Sequence, residues 1–535
     1  MAQRWVFLVS LSLASLAAPT LRAQGQVAPP TISVQVQSLD AVLKNLKLLV
    51  VMSGREEIAS KVEGLVKTKI GPKGLEGIDT NRPFGAYFRF GKDLSDFSGV
   101  ILAPIADEKA FLSLLENGLN IKVIKDANTG IYTASANTPF YFRFANKYVY
   151  ATTLRVDSSL DVKNLLPPAS VFSTAQKSTI SLVLQLDQLP RDLKTIARLG
   201  LMQTMQDAQD TKLPGETPTQ KTLRVEVMKG VVEQFTAILN EGKQFGIDID
   251  VHKASEEISA TFSLTAQSDS GLAKTIADIG KVKSLFGGLR AKDAALQASV
   301  TMGLSKNLQK LFASAVDEAR FTILKELNDA GKKKQAEALL DALSPTLRAG
   351  EVDAALLMTG PKGKAYSFIA AVKLHEGAKL NKTVQEFLEE VVKQIPVEAR
   401  DQLRLNADIA GGTSIHRFKL TYGPIEKELL GDSPIYLAIR DDAFFVATGP
   451  DGLANLKAAL SATNAIPAPP LSFEISLSRL APLMDGPNRD KLMALFDPGR
   501  GGSIRLSLEG GSRLQVRITT HQSALRFIGE LTDKK

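Results

Sequence analysis

The stretch Pro139–Thr152, PFYFRFANKYVYAT, and the later stretch Pro434–Thr448, PIYLAIRDDAFFVAT, decide how this chain is read. Each alternates apolar and polar residues on both sides of a short turn, the pattern of a β-hairpin. With one extra residue allowed in the turn, Pro139 falls on Pro434, Tyr141 on Tyr436, Ala151 on Ala447 and Thr152 on Thr448, and Asn146 meets the Asp441-Asp442 turn. The match extends outward in order, though not in identity. Strands are expected at Phe84–Phe90 and Val100–Ile105 with a helix at Asp107–Asn117, and again at Val352–Met358 and Tyr366–Leu374 with a helix at Lys379–Gln394. After each hairpin, from Asp157 and from Asp451, an Asp-capped short helix runs to a proline stop.

A second pattern occurs four times, from Ile32, Ile180, Leu296 and Leu471: a strand that runs straight into a helix. The apolar period changes from two to between three and four at Leu39, Leu189, Leu304 and Leu480. Later hairpins are expected at Gly246–His252 with Ile258–Ala266, and at Ser503–Leu508 with Arg513–Thr519, followed by helices at Gly271–Phe286 and Ser523–Leu531; a further helix is expected at Asn488–Phe496. These repeats imply an α+β fold of two tandem copies, residues 31–289 and 290–535. Each copy is an antiparallel sheet with helices packed on one face, built from strand–helix–hairpin–helix units. The hairpins speak against parallel Rossmann-type winding. The polar stretch Gln206–Gln220, with Pro214 and Pro218, reads as a mobile helix–helix loop.

The 535 residues suffice for several cores, and the composition is globular. There is no Cys, which excludes disulfide scaffolds, thiolate nucleophiles, Cys-ligated zinc and iron–sulfur clusters. Met1–Ala23 carries Arg4, an apolar stretch and two candidate cleavage sites, Ser15-Leu16-Ala17 and Leu21-Arg22-Ala23, though Leu21 is large for its position, so it reads as an export signal followed by a flexible segment at 24–30. The expected location is therefore periplasmic or extracellular. Losing Arg4 and Arg22 takes the net charge from +8 to +6. The basic residues are interleaved with acids, and the longest run, Lys332-Lys333-Lys334, is followed by Glu337 and Asp341. That pattern does not favour nucleic acid as a partner. No segment after the signal is apolar for long enough to span a membrane.

Chemistry is sparse. The Gly-Pro-Lys-Gly pieces at Gly71 and Gly360 lack the continuation of a phosphate loop and read as turns. The four histidines, His252, His375, His416 and His521, stand apart in sequence and nominate no triad. One constellation suits a divalent cation: Asp248, Asp250 and His252 at i, i+2 and i+4 share one face of a strand, opposite Ile247, Ile249 and Val251. Side chains so placed stand about 6 to 7 Å apart, so metal binding would require the strand to bend; the competing reading is the wet face of an amphipathic strand. The acid pairs Glu256-Glu257 and Asp441-Asp442 suit turns, while Glu386 and Glu390 share a helix face with Lys382 and Lys393. Aromatic clusters at Phe84–Phe90 and Tyr141–Tyr150 suit core packing or a groove for an apolar ligand between sheet and helices. No cofactor is implied.

The segments RPFGAYFRFG from Arg82, FSGVILAPIADEKAFLSLLEN to Asn117 and FYFRFANKYVYAT resemble uncharacterised exported proteins of planctomycete-type bacteria. The resemblance covers the first 170 residues or so, and implies a cell-envelope location but no activity and no functional residue. The expected function is a non-catalytic binding or scaffold protein with a protein or small-molecule partner in the envelope. The alternatives are a carrier or sensor of an apolar small molecule, and a hydrolase with a non-local site.

Overall fold

The computed structural model describes residues 30–52, 75–91, 97–153, 159–172, 178–211, 213–462, 464–483, 490, 494, 496 and 502–532. The export signal expected at Met1–Ala23, the turn expected at Gly71 and most of the helix expected at Asn488–Phe496 lie outside them. Among the described residues no helix is long and apolar enough to cross a membrane. The fold is α+β with antiparallel sheet. The chain divides into two compact units, one of Met1–Met202, Phe235–Ala273 and Ile528–Lys535, the other of Gln203–Gln234 and Lys274–Phe527.

In the first unit the strands are β1 (Ile32–Val36), β2 (Phe84–Arg89), β3 (Ser98–Pro104), β4 (Lys122–Lys125), β5 (Tyr132–Ser135), β6 (Phe140–Ala145), β7 (Tyr148–Thr152), β8 (Ile180–Gln185), β9 (Gly242–His252) and β10 (Glu257–Ala266). They pair antiparallel in the order β4-β5-β6-β7-β3-β2-β1-β8-β9-β10. The second unit contains β11 (Lys283–Ser284), β12 (Ala294–Gly303), β13 (Glu351–Lys362), β14 (Ala365–Lys373), β15 (Leu403–Ala410), β16 (Thr413–Phe418), β17 (Ile435–Arg440), β18 (Ala443–Thr448), β19 (Ile466–Pro467), β20 (Leu471–Ser476), β21 (Ser503–Glu509) and β22 (Leu514–His521). Its main sheet runs β15-β16-β17-β18-β14-β13-β12-β20-β21-β22, again antiparallel, while β11 and β19 form a separate ladder. The two orders coincide when β1–β7 are set against β12–β18 and β8–β10 against β20–β22.

The two hairpins that opened the sequence reading differ from it in one respect. Tyr141 pairs with Thr152 and Tyr436 with Ala447, so both turns hold two residues and no extra residue sits in either. The equivalence of Ala151 with Ala447 is therefore one step out. The turns differ in conformation instead: Asn146 and Lys147 both have positive φ, 53° and 60°, the form that follows the right-handed strand twist. Asp441 and Asp442 form a two-residue turn without positive φ.

Both faces of each sheet are covered, contrary to the expectation of helices on one face. In the first unit Tyr87, Leu102 and Tyr150 pack against Leu160, Leu166 and Phe172 of the segment after β7. On the other side Phe142 and Val149 meet Phe111 and Leu115 of the helical stretch that begins at Glu108. In the second unit Leu357, Ile369 and Phe445 lie beneath Leu456 and Leu460 of the helix Gly452–Ser461. Opposite them, Leu374 and Ile439 meet Leu380 of the helix Gly377–Gln394 and Ala342 of the helix Ala330–Arg348. The cause is visible in β14: Tyr366 and Ile369, on opposite faces, are both fully buried. A central strand that is apolar on both sides has to be covered on both sides.

Two local expectations are also corrected. The helix expected over Gly271–Phe286 ends at Ile279, and Lys283–Ser284 leaves as a strand to pair with Ile466–Pro467. The helix–helix loop expected at Gln206–Gln220 is shorter, residues 211–217, since the flanking helices are Arg191–Asp210 and Pro218–Glu241. Arg224 holds the short connection by donating to the carbonyl oxygens of Ala208 and Thr211 and to the Glu216 carboxylate at 2.7 Å.

Candidate functional site

In the second unit, a cavity of about 320 Å³ lies between the segment that follows β11 and the helix Gly452–Ser461. Leu285, Phe286, Leu289 and Ala291 line it from the segment, Leu357 and Phe445 from the sheet, and Ala458 and Ala459 from the helix. Arg290, Asp293, Asp451 and Asn455 add polar groups to the lining. Phe286 and Phe445 meet edge to face, with centroids 5.8 Å apart, and so set the angle between segment and sheet.

A buried acid holds the segment in place. Asp353 on β13 is 5% exposed and points to the same side as Ala355 and Leu357. Its Oδ1 accepts from the Ser284 hydroxyl at 2.7 Å and the Thr301 hydroxyl at 3.0 Å, and its Oδ2 accepts from the Leu285 N–H at 2.8 Å. Ser284 Oγ in turn accepts from the Phe286 N–H at 2.9 Å. A buried carboxylate is tolerated when donors surround it in this way. The consequence is that Leu285 and Phe286, two walls of the cavity, are fixed by backbone bonds. Sequence reasoning passed over Asp353. Its signal was an acid at an inward position of an otherwise apolar alternation, EVDAALLM from Glu351.

Asp451, which also lines the cavity, does not cap its helix as expected. Its side chain receives the Lys362 ammonium at 2.8 Å, and its backbone N–H donates to Ser367 Oγ at 2.8 Å. The aromatic clusters that suggested a ligand groove in the first half of the chain are core: Tyr87, Phe142 and Tyr150 are at most 1% exposed. Burial pushes the Tyr150 phenol up to about 12, and its hydroxyl donates to the Leu166 carbonyl at 2.8 Å. An apolar-lined cavity lies instead beside Phe286 and Phe445, between the sheet and the helix Gly452–Ser461.

Asp248, Asp250 and His252 all lie on β9, but they are engaged separately. Asp248 stands opposite Ser181 and Thr261. Asp250 accepts from the Thr179 N–H at 3.3 Å and the Ser178 hydroxyl at 3.4 Å. The His252 Nε2 is 3.2 Å from Ser259 Oγ. Among the described residues no three His, Asp or Glu side chains are gathered closely enough to hold a metal ion. Asp248 and Asp250 are half-buried beside the buried Ser181, Ser259 and Thr261, whereas His252 is exposed at the strand end and Ile249 on the opposite face is 37% exposed.

The remaining histidines are dispersed. His375 shares the Glu351 carboxylate with Lys373, and the Lys373 contact, ahead of His375, lowers the Glu351 pKa. His416 is 1% exposed, accepts from the Asn406 N–H at 3.3 Å through Nδ1, and has its pKa lowered by burial. His521 Nδ1 lies 2.7 Å from Ser523 Oγ, but Ser523 is buried, so that hydroxyl is closed to a substrate. The acids Glu386 and Glu390 make the expected helix-surface pairs with Lys382 and Lys393. No protein-family model, no curated protein and no solved structure matches this chain.

Proposed function

We propose that this chain is an exported, non-catalytic binding protein of the bacterial cell envelope, made of two tandem copies of one α+β unit. The cavity beside Phe286 and Phe445 holds a compact, mostly apolar ligand with one or two polar groups. The cavity carries the reading. Its volume of about 320 Å³ reaches the range of small-molecule sites, and its lining combines apolar walls with a few polar groups. The coinciding strand orders of the two units support the duplication, because one order arising twice by chance in sheets of this size is improbable. Export rests on the N-terminal sequence alone.

The test is titration of the full chain with an apolar naphthylamine probe, for wild type and for Ala459→Phe, whose ring fills the cavity. The expected result is a single saturable site in the wild type that Ala459→Phe abolishes at unchanged melting temperature. Asn455→Leu, at the polar part of the lining, is expected to change affinity without abolishing binding. Equal probe binding by wild type and Ala459→Phe overturns the reading.

A further inference from the structure

The helix Arg191–Asp210, which follows β8, has no fully buried residue along its 20 positions. Leu193, Leu201 and Met205 are half-buried on its inner side. Ile196, Leu199 and Met202 are instead 56%, 57% and 50% exposed, all within the part of the helix that belongs to the first unit. At roughly 100° per residue these three fill an arc of about 120° on the outer side. Arg191, Lys194 and Arg198 fall within about 60° of one another and border that arc on one flank. None of the three cations makes an ion pair with a described residue.

The charges are placed against the helix's own stability. The macrodipole favours acids near a helix N-terminus and bases near its C-terminus. Here Arg191, Lys194 and Arg198 stand in the N-terminal half and Asp207 and Asp210 in the last turn, and only Asp192 follows the rule. Helix formation therefore explains neither the cations nor the exposed apolar arc beside them. Both are explained by an anionic lipid surface. Acyl chains receive the apolar side chains, and lipid phosphates accept from the guanidinium and ammonium groups that reach up beside them. The outer face of one helix is convex, a shape that a fluid interface accommodates.

We propose that residues 191–202 form a peripheral docking face for a membrane surface rich in anionic phospholipid. This part of the helix lies along the headgroup layer, with Ile196, Leu199 and Met202 toward the acyl chains and Arg191, Lys194 and Arg198 on phosphate oxygens. The face belongs to the first unit and is independent of the cavity in the second, so either can stand without the other.

The experiment is co-sedimentation of the full chain, purified from its native envelope, with vesicles of equimolar phosphatidylglycerol and phosphatidylcholine or of phosphatidylcholine alone. Wild type is expected to bind the anionic vesicles at low salt, to release as salt is raised, and to leave the neutral vesicles unbound. Each cation contributes about fivefold, so the triple variant Arg191→Gln, Lys194→Gln, Arg198→Gln is expected to bind about a hundredfold more weakly. Leu199→Asp is expected to weaken binding by at least about tenfold at unchanged melting temperature. The triple variant Lys332→Gln, Lys333→Gln, Lys334→Gln removes the same charge from the second unit and keeps wild-type binding. Equal binding to neutral and anionic vesicles overturns the proposal, as does wild-type binding by the Arg191 triple variant or by Leu199→Asp. So does a wild type that ignores vesicles but self-associates through Leu199, which assigns the face to a second copy.

Discussion

Removing the Asp353 carboxylate isolates the element that builds the cavity wall. Asp353→Ala deletes an acceptor of three hydrogen bonds, from Ser284 at 2.7 Å, Leu285 N–H at 2.8 Å and Thr301 at 3.0 Å. Hydrogen bonds to a charged acceptor contribute about 1.5–3 kcal/mol each, and a donor left buried without a partner costs about 1–3 kcal/mol. Ser284 is 0% exposed and Thr301 9%, so neither hydroxyl reaches bulk water without local opening. Against this, the carboxylate's own desolvation is relieved and water from the adjacent cavity satisfies part of the loss. The net expected cost is about 3 kcal/mol. Asp353→Asn keeps the shape and one acceptor oxygen, so about half that cost is expected, and Ser284→Ala about 1 kcal/mol. Urea unfolding of the full chain gives the energies, with hydrogen exchange of residues 283–291 assigning the transition to the second unit. Exchange there should rise by roughly a hundredfold in Asp353→Ala, the factor that about 3 kcal/mol implies when the segment opens locally. A loss below about 0.5 kcal/mol, with unchanged exchange at Leu285 and Phe286, refutes the assignment of Asp353 as the anchor.

Leu456→Ala, at a fully buried position on the inner face of the helix that roofs the same cavity, should destabilise the second unit by about 3 kcal/mol in the same assay. At Gly377, a Cβ would collide with the carbonyl oxygens of Arg440 and Asp441, so Gly377→Ala should lower the melting temperature although the position is helical; an unchanged value contradicts that close approach. His416 is buried neutral with its folded pKa below the unfolded value of about 6.5, so the folded chain binds fewer protons than the unfolded one. Its contribution is therefore fully present above pH 6.5 and is lost as pH falls from there toward the folded pKa. His416→Asn should make the melting temperature less sensitive to acid in that window, and parallel wild-type and variant curves refute this. Arg224→Ala should speed proteolytic cleavage within residues 211–217, because the guanidinium holds the carbonyl oxygens of Ala208 and Thr211; equal cleavage rates count against that role.

The strands were legible where alternation was clean. Hairpins β6–β7 and β17–β18 and the four strand-to-helix junctions stood in the sequence because period-two and longer apolar periods differ over only a few residues. The pairing order was not legible, since β7 beside β3 and β12 beside β20 join residues far apart in sequence. Covering of both faces was missed because alternation implies one wet face, whereas Tyr366 and Ile369 both found cover. The same rule misjudged Asp248 and Asp250, whose polar face is the covered one. Asp353 escaped notice because an isolated acid in a strand gains meaning only when Ser284, Thr301 and Leu285 arrive from elsewhere.

If the cavity beside Phe286 and Phe445 is a ligand site, its occupant travels with the purified chain. The most direct test is to purify the full chain from its native envelope, denature it and identify released small molecules by mass spectrometry, in parallel with Ala459→Phe. One compact, mostly apolar compound is expected at near one-to-one stoichiometry with the wild type and absent from Ala459→Phe. Release of no compound from either, or of the same compound in equal amount from both, contradicts it.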